Sequence, residues 1–213
     1  MVIISHRGYW KAVNEKNTKV AFERTFYLGF GTETDVRDFN GELVISHDIA
    51  DENCISVKEM FAIYNKYDNT LPLALNIKAD GLQAKLKDIL EEYQIKNYFV
   101  FDMSVPDGLQ YLKHNIRTFT RESEYEIVPS FYNEACGVWL DEFQGHWITK
   151  EVIAKHIQNG KQICIVSPDL HKREYNKEWI HYKEIEKELG INHIMLCTDF
   201  PQQAMEFFSA RVM

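Results

Sequence analysis

The chain has 213 residues, a formal net charge of −8 at pH 7 and an apolar fraction of 45%. These values predict one globular domain over residues 1–213, and the negative charge argues against binding to nucleic acid or anionic lipid. No segment approaches the roughly 18 consecutive apolar residues of a membrane helix, and the N-terminus does not resemble a signal peptide. We therefore expect a cytoplasmic protein without stable membrane insertion.

Short β-branched runs alternate with longer amphipathic stretches along the first half of the chain. Strands are predicted at residues 2–5, 32–37, 71–77 and 98–101, and helices at 18–29, 56–67, 81–93 and 106–114. Thr18 is the expected N-cap of the first helix. Asn40-Gly41 predicts a hairpin turn within residues 38–46, and Ser56 with Glu59 predicts a capping box.

The second half continues the same alternation. Strands are predicted at residues 117–120, 137–140, 162–166 and 193–198, and helices at 149–159, 178–190 and 201–211. A short polar segment follows residues 117–120. The count comes to eight strand–helix units, which predicts an α/β fold of the TIM, or (β/α)8, barrel class, with an open doubly wound sheet as the alternative.

Ionisable and amide side chains follow or end several of the early strands. In a parallel barrel, functional residues collect at the C-terminal ends of the strands. Paired carboxylates with a third oxygen suit Mg²⁺ or Ca²⁺, histidines suit acid–base catalysis, and Arg with Lys suits a phosphate. The pattern predicts metal-assisted attack on a phosphate ester. The residues concerned are His6, Arg7, Glu33, Asp35, His47, Asn76 and Lys78.

With these residues identified, the sequence resembles the glycerophosphodiester phosphodiesterase family over nearly its whole length. The resemblance implies a barrel of the phospholipase-C-like phosphodiesterase type, a small phosphodiester substrate and a role in lipid metabolism. The segments that carry it are HRG (6–8), NTKVAF (17–22), GTETDVRDFNGELVISHD (31–48), LALNIK (73–78), VSPDLH (166–171) and CTDFP (197–201).

The resemblance also implies a role for each site residue. His6 and His47 correspond to the catalytic acid and base. Arg7 and Lys78 correspond to the phosphate ligands, and the metal ligands include Glu33 and Asp35. In the implied reaction, the hydroxyl of the substrate attacks phosphorus to give a cyclic phosphate, and water then opens the ring to leave an alcohol and a phosphomonoester.

The sequence departs from the family pattern at two points. The third metal ligand is normally a glutamate, but this position is Asn76, whose amide oxygen brings no charge and should bind the cation more weakly. Asp102 is the first candidate to replace it and Asp141 the second. The interval from His47 to Lys78 also lacks the inserted subdomain of many relatives, which predicts an open site.

These departures leave two alternatives to the hydrolase. One is an impaired barrel that binds phosphate esters without turnover, and the other is a lyase that releases the cyclic phosphate. Structural roles are the alternative for single residues, such as a salt bridge from Arg7 to Glu33 or Asp35. Arg121 is expected to pair with Glu122 or Glu124. Asp199 is expected to order the last loop and cap the final helix.

Overall fold

A computed structural model describes residues 1–68 and 70–210. The described strands are β1 (Val2–His6), β2 (Gly31–Phe39), β3 (Glu42–Ile45), β4 (Leu73–Ile77), β5 (Tyr98–Phe101), β6 (Phe119–Ser123), β7 (Gly137–Asp141), β8 (Gln162–Val166) and β9 (Met195–Thr198). The helices are α1 (Lys19–Tyr27), α2 (Val57–Tyr64), α3 (Gln83–Glu92), α4 (Val105–Lys113), α5 (Lys150–Gln158), α6 (Asn176–Leu189) and α7 (Pro201–Ser209).

The predicted alternation of strands and helices is confirmed, with one helix missing. Every strand except β2 and β6 is followed by a helix. β2 turns directly into β3, and residues 124–136 after β6 form turns and bends. The predicted end of the last helix at Arg211 lies outside the described residues. In the part of the chain that the structure describes, no helix has the length and apolarity to cross a bilayer.

The described residues group into two compact units, an N-terminal unit (Ser5–Thr118) and a C-terminal unit (Met1–Ile4 with residues 119–210). In the N-terminal unit, β4 pairs in parallel with both β2 and β5, and β3 folds back antiparallel on β2. In the C-terminal unit, β6, β7, β8 and β9 pair in chain order, all in parallel. The single domain over residues 1–213 stays a prediction.

Local signals in the sequence explain several element boundaries. Asn40 and Gly41 have φ of 49° and 80°, the left-handed pair that joins β2 to β3 in a tight hairpin. Ser56 Oγ accepts from the Glu59 N–H at 3.1 Å, and the Glu59 carboxylate accepts from the Ser56 N–H, which completes the predicted capping box. Thr18 holds the N-cap position of α1, but its hydroxyl donates to the Glu15 carbonyl instead of capping.

The core of the N-terminal unit lies between its sheet and the inner faces of α1, α2 and α3. Phe26 of α1 packs edge-on against Tyr64 of α2, with ring centroids 5.2 Å apart. Leu73 and Leu75 of β4 are fully buried, as expected for a parallel strand covered on both faces. Polar side chains on such strands therefore lie in apolar surroundings. Their burial costs free energy unless a hydrogen bond or an opposite charge compensates it.

The last helix begins at Pro201, as predicted. Phe200 holds the N-cap position of α7 and makes no side-chain capping bond, and the prediction that Asp199 caps this helix stays a prediction. The Asp199 N–H donates to the Asp169 carboxylate at 2.8 Å, and the Thr198 hydroxyl donates to the same carboxylate. Asp169 therefore fixes the chain between β9 and α7.

Candidate active site

All seven predicted site residues lie in the N-terminal unit. His6 ends β1, and Arg7 follows it. Glu33 and Asp35 alternate along β2, so both side chains lie on one face, and Asp35 is the register partner of Asn76 on β4. The other two residues follow strand ends, His47 after β3 and Lys78 after β4.

The chain leaves β1 through two residues in left-handed conformation. Arg7 has φ of 59° and Gly8 has φ of 79°. A Cβ atom on Gly8 would lie 2.7 Å from the Cβ of Ala21, so only glycine allows α1 to pack this closely against the turn. The Arg7 N–H donates to the Glu33 carbonyl at 2.9 Å, which attaches the turn to β2.

Asp35 is fully buried and surrounded by donors. Its Oδ2 accepts from Asn17 Nδ2 at 2.9 Å and lies 3.1 Å from Arg7 Nε, while its Oδ1 lies 3.6 Å from Lys78 Nζ. Asn17 is itself held, because its Oδ1 accepts from the Thr34 hydroxyl at 2.9 Å. The proposed structural role of Arg7, an ion pair with Asp35, is thus present in the structure.

Glu33 is also buried, but the cost of burying its carboxylate is less well compensated by neighbouring donors and cations. His6 Nε2 lies 3.9 Å from Glu33 Oε2. Burial and the neighbouring Asp35 charge raise the pKa of Glu33 to about 8, against the lowering effects of Arg7, Lys78 and Asn76. The carboxyl of Glu33 is therefore mainly protonated at neutral pH when no cation is present.

Three buried oxygens of this cluster accept no hydrogen bond from the described residues. They are Glu33 Oε2, Asp35 Oδ1 and Asn76 Oδ1. A buried acceptor without a hydrogen bond costs about 1–3 kcal/mol, and the Lys78 ammonium, 3.6 Å from Asp35 Oδ1, compensates this cost only in part at one of the three. Oxygen atoms of carboxylates and amides are the ligands that Mg²⁺ and Ca²⁺ prefer, and the three side chains fit a divalent cation.

The composition of this trio is unusual for a metal site. Within the described residues, no group of three His, Cys, Asp or Glu side chains is arranged to hold a metal ion. The third oxygen of the trio belongs to the amide of Asn76. The two carboxylates expected as replacements have other contacts: Asp102 Oδ2 lies 3.0 Å from Lys78 Nζ, and Asp141 Oδ1 lies 2.5 Å from His171 Nε2.

His47 lies on an irregular loop, with 44% of its side chain exposed. Its Nδ1 is 2.8 Å from Asp48 Oδ1. When Nδ1 donates this bond, Nε2 is left to exchange a proton with a ligand. The Asp48 carbonyl in turn accepts from Arg37 Nη1, and Arg37 Nη2 donates to the Lys78 carbonyl at 3.2 Å.

Sequence reasoning did not single out Arg37 or Asn17. Arg37 follows Asp35 by two positions on β2, so strand alternation places it on the face of Glu33 and Asp35. Asn17 lies in the NTKVAF segment that supports the family resemblance, but no pattern assigns it the contact with Asp35. Both residues hold site groups in place through hydrogen bonds.

An open cleft of about 810 Å³ lies beside these residues. Arg7, Asn17 and His47 contribute to its wall, and the N-terminus of α1 and residues 51–55 border it. Among the described residues between β3 and β4, α2 is the one helix or strand, in agreement with the short interval in the sequence. The cleft exposes the side chains of Arg7 and His47 to solvent on the same side of the unit.

Arg121, in the C-terminal unit, forms an ion pair as expected, but with a different partner. Its Nε lies 2.9 Å from the Glu126 carboxylate, so the predicted pairing with Glu122 or Glu124 is wrong. Glu122 lies 3.1 Å from the buried His156 Nε2, and Glu124 accepts backbone N–H groups of residues 143–145.

Several solved structures are similar to this chain in fold. An Oleispira antarctica phosphodiesterase in complex with the product sn-glycerol-3-phosphate is 15% identical, with a TM-score of 0.69 over 99% of this chain and 97% of that one. A Parabacteroides distasonis glycerophosphoryl diester phosphodiesterase is 15% identical, with a TM-score of 0.68 over 100% of this chain and 88% of that one. The chain has the barrel fold of these phosphodiesterases. The predicted (β/α)8 class is confirmed, and the resemblance seen in the sequence is confirmed for the fold.

The same barrel also carries other chemistry. A phosphoribosyl anthranilate isomerase from Thermus thermophilus is 9% identical, with a TM-score of 0.53 over 98% of this chain and 97% of that one. No family model matches the sequence, and the search of curated proteins gave no match. The function must therefore be argued from the site residues, because a barrel alone does not specify a reaction.

Proposed function

We propose that the protein is a metal-dependent phosphodiesterase that hydrolyses a glycerophosphodiester, or a similar small phosphodiester, to an alcohol and a phosphomonoester. The observation that carries this proposal is the trio of unpaired oxygens on Glu33, Asp35 and Asn76 beside two cationic side chains. The barrel shared with phosphodiesterases supports it, as does the product named for one of them. We also propose that the protein acts in the cytoplasm.

Glu33, Asp35 and Asn76 would hold Mg²⁺ or Ca²⁺. A bound dication supplies positive charge against a phosphoryl oxygen and against the negative charge that develops during attack on phosphorus. Glu33 would lose its proton when the cation binds, because only the ionised carboxylate is a good ligand. The amide of Asn76 adds an oxygen but no charge, so we expect moderate affinity for the cation.

Arg7 and Lys78 would bind the phosphate. Their side chains are 21% and 19% exposed, so each keeps a surface toward a ligand while contacting Asp35. Partial burial strengthens a charge-assisted hydrogen bond to a phosphate oxygen compared with a bond formed in bulk water.

His6 and His47 would move the protons. In the first step the hydroxyl of the substrate attacks phosphorus, one imidazole accepts the hydroxyl proton, and the other gives a proton to the departing alcohol. In the second step water attacks the cyclic phosphate and the two imidazoles exchange roles. Asp48 keeps the His47 ring in one orientation through its bond to Nδ1.

The direct test is turnover of glycerophosphocholine and glycerophosphoethanolamine in the presence of Mg²⁺ or Ca²⁺. We expect release of a phosphomonoester and loss of activity with a chelator. His6→Ala and His47→Ala should each lower kcat by roughly 10²–10⁴-fold with little change in Tm. His193, which is exposed, provides the matched control, and His193→Ala should leave kcat unchanged. Absence of turnover on any small diester at saturating cation would contradict the proposal.

Asn76 favours one alternative, a barrel that binds phosphate esters but has lost turnover. It predicts binding by calorimetry without product. A lyase is distinguished by phosphorus NMR, since it would accumulate the cyclic phosphate that a hydrolase consumes.

A further inference from the structure

The ammonium of Lys78 lies between two carboxylates. Its Nζ is 3.0 Å from Asp102 Oδ2 and 3.6 Å from Asp35 Oδ1. If Asp35 shares its Oδ1 with a cation, as the proposed function requires, its hold on Lys78 weakens. Asp102 then becomes the main anionic partner of Lys78.

The backbone of Asp102 is built to make this contact. Asp102 follows β5 and has φ of 71°, a left-handed conformation that aspartate and asparagine tolerate better than most residues. The register pairs Asn76 with Phe101, so Asp102 lies one position beyond the neighbour of Asn76. Its carboxylate therefore reaches Lys78, the residue that follows β4.

The charges of the cluster also indicate a role for Asp102. The carboxylates of Glu33, Asp35 and Asp102 face the cations of Arg7 and Lys78, which leaves one net negative charge when all are ionised. A dication and a singly charged phosphodiester together bring one positive charge and make the cluster neutral. The negative charge that Asn76 lacks is thus present on the neighbouring strand.

We infer that Asp102 is the positioning residue for Lys78, which it holds ready for the phosphate, and that it is not a ligand of the cation. This inference rests on the proposed function. The Asp102 side chain is 27% exposed, whereas those of Glu33 and Asp35 are 2% and 0% exposed. One oxygen of the Asp102 carboxylate, Oδ2, already contacts Lys78 Nζ at 3.0 Å.

A double-mutant cycle tests the inference by calorimetry, without turnover. Asp102→Asn keeps the shape and tolerates the positive φ, and Asp102→Gly removes the side chain without backbone strain. With Mg²⁺ saturating, each should weaken binding of sn-glycerol 3-phosphate about tenfold, within the range of direct pair couplings. Affinity for Mg²⁺ alone should change less than twofold. In a Lys78→Gln background, Asp102→Asn should have no further effect.

Asp88→Asn provides the matched control, since Asp88 is exposed on α3 and the variant removes the same charge. A tenfold loss of Mg²⁺ affinity in Asp102→Asn would overturn the inference and make Asp102 a ligand. The inference would also be overturned if Asp102→Asn left binding of sn-glycerol 3-phosphate unchanged, or if it still weakened binding in the Lys78→Gln background. Wild-type protein that does not bind this compound would overturn it as well. Failure of wild-type turnover alone would contradict the proposed function and leave these affinities measurable.

Discussion

Each of the two units buries carboxylates at the carboxyl end of its sheet, but in different surroundings. Glu142, directly after β7, is fully buried and accepts from the Trp147 and Ile148 N–H groups at 2.8 Å and from the Tyr182 hydroxyl at 2.9 Å. In the N-terminal unit, one carboxylate oxygen each of Glu33 and Asp35 accepts no hydrogen bond from the described residues.

The difference separates a carboxylate whose hydrogen bonds are supplied by the fold from carboxylates that, in the proposed function, bind a cation. Glu142 uses its charge to fix residues 142–148, and its donors compensate the cost of burial. Glu33 and Asp35 are held by the fold without full compensation, which costs stability and is expected where a ligand completes the site. Substitutions that change this compensation should therefore act oppositely in the two units.

The largest effect is expected for Glu33→Gln in cation-free protein. A carboxyl whose pKa is raised from 4.5 to about 8 binds its proton more tightly in the folded state. Its contribution to stability is thus complete below pH 4.5 and is lost as the pH rises toward 8. At pH 9 we expect Glu33→Gln to exceed wild type in stability by several kcal/mol, as an order of magnitude, and to match it near pH 5.

The measurement is the free energy of unfolding of both proteins between pH 5 and pH 9 in the presence of a chelator. Glu91→Gln, on the exposed face of α3, is the matched control and should follow wild type at every pH. A constant difference between Glu33→Gln and wild type across this range would contradict the assignment.

The next largest effect concerns Glu142, the carboxylate of the C-terminal unit that accepts hydrogen bonds from its neighbours. Tyr182→Phe removes one donor from Glu142 and should lower stability by about 2 kcal/mol, or roughly 6 °C in Tm. Binding of sn-glycerol 3-phosphate should stay unchanged. Tyr27→Phe is the control, since Tyr27 is 75% exposed and should be neutral. Equal Tm values for the two variants would show that Glu142 does not depend on this bond.

The smallest effect is expected for Asn76→Asp, which places a third carboxylate in the cluster. The variant should raise affinity for Mg²⁺ or Ca²⁺ about tenfold, because each added ligand charge strengthens binding of a hard cation. Calorimetric titration of the cation measures this directly. Asn115→Asp adds the same charge at an exposed position and should not alter the affinity. Unchanged or weaker binding in Asn76→Asp would argue against a cation beside Asn76.

Much of the fold, and which side chains of the candidate site the strands bring close together, could be predicted from the sequence. Strand alternation places Glu33 and Asp35 on one face, and parallel strands bring their ends to the same edge of a sheet. These rules depend only on backbone geometry, which local sequence fixes well. The hairpin at Asn40-Gly41 and the capping box at Ser56 follow from equally local chemistry.

Contacts that depend on loop paths could not be predicted. Arg121 pairs with Glu126 because Ser123 and Glu126 exchange backbone hydrogen bonds in a turn that brings the chain back beside β6. The strand-end position of Asp102 makes it a candidate metal ligand, but the direction of its side chain depends on its own left-handed backbone conformation. Thr18 holds the cap position, yet its hydroxyl donates to the Glu15 carbonyl and accepts no capping N–H.

The close packing of Gly8 against Ala21 couples the turn after β1 to the first helix. A side chain at position 8 would have to displace either that helix or the turn, and the turn carries the guanidinium of Arg7. A designer who wishes to enlarge the cleft should begin elsewhere along its border.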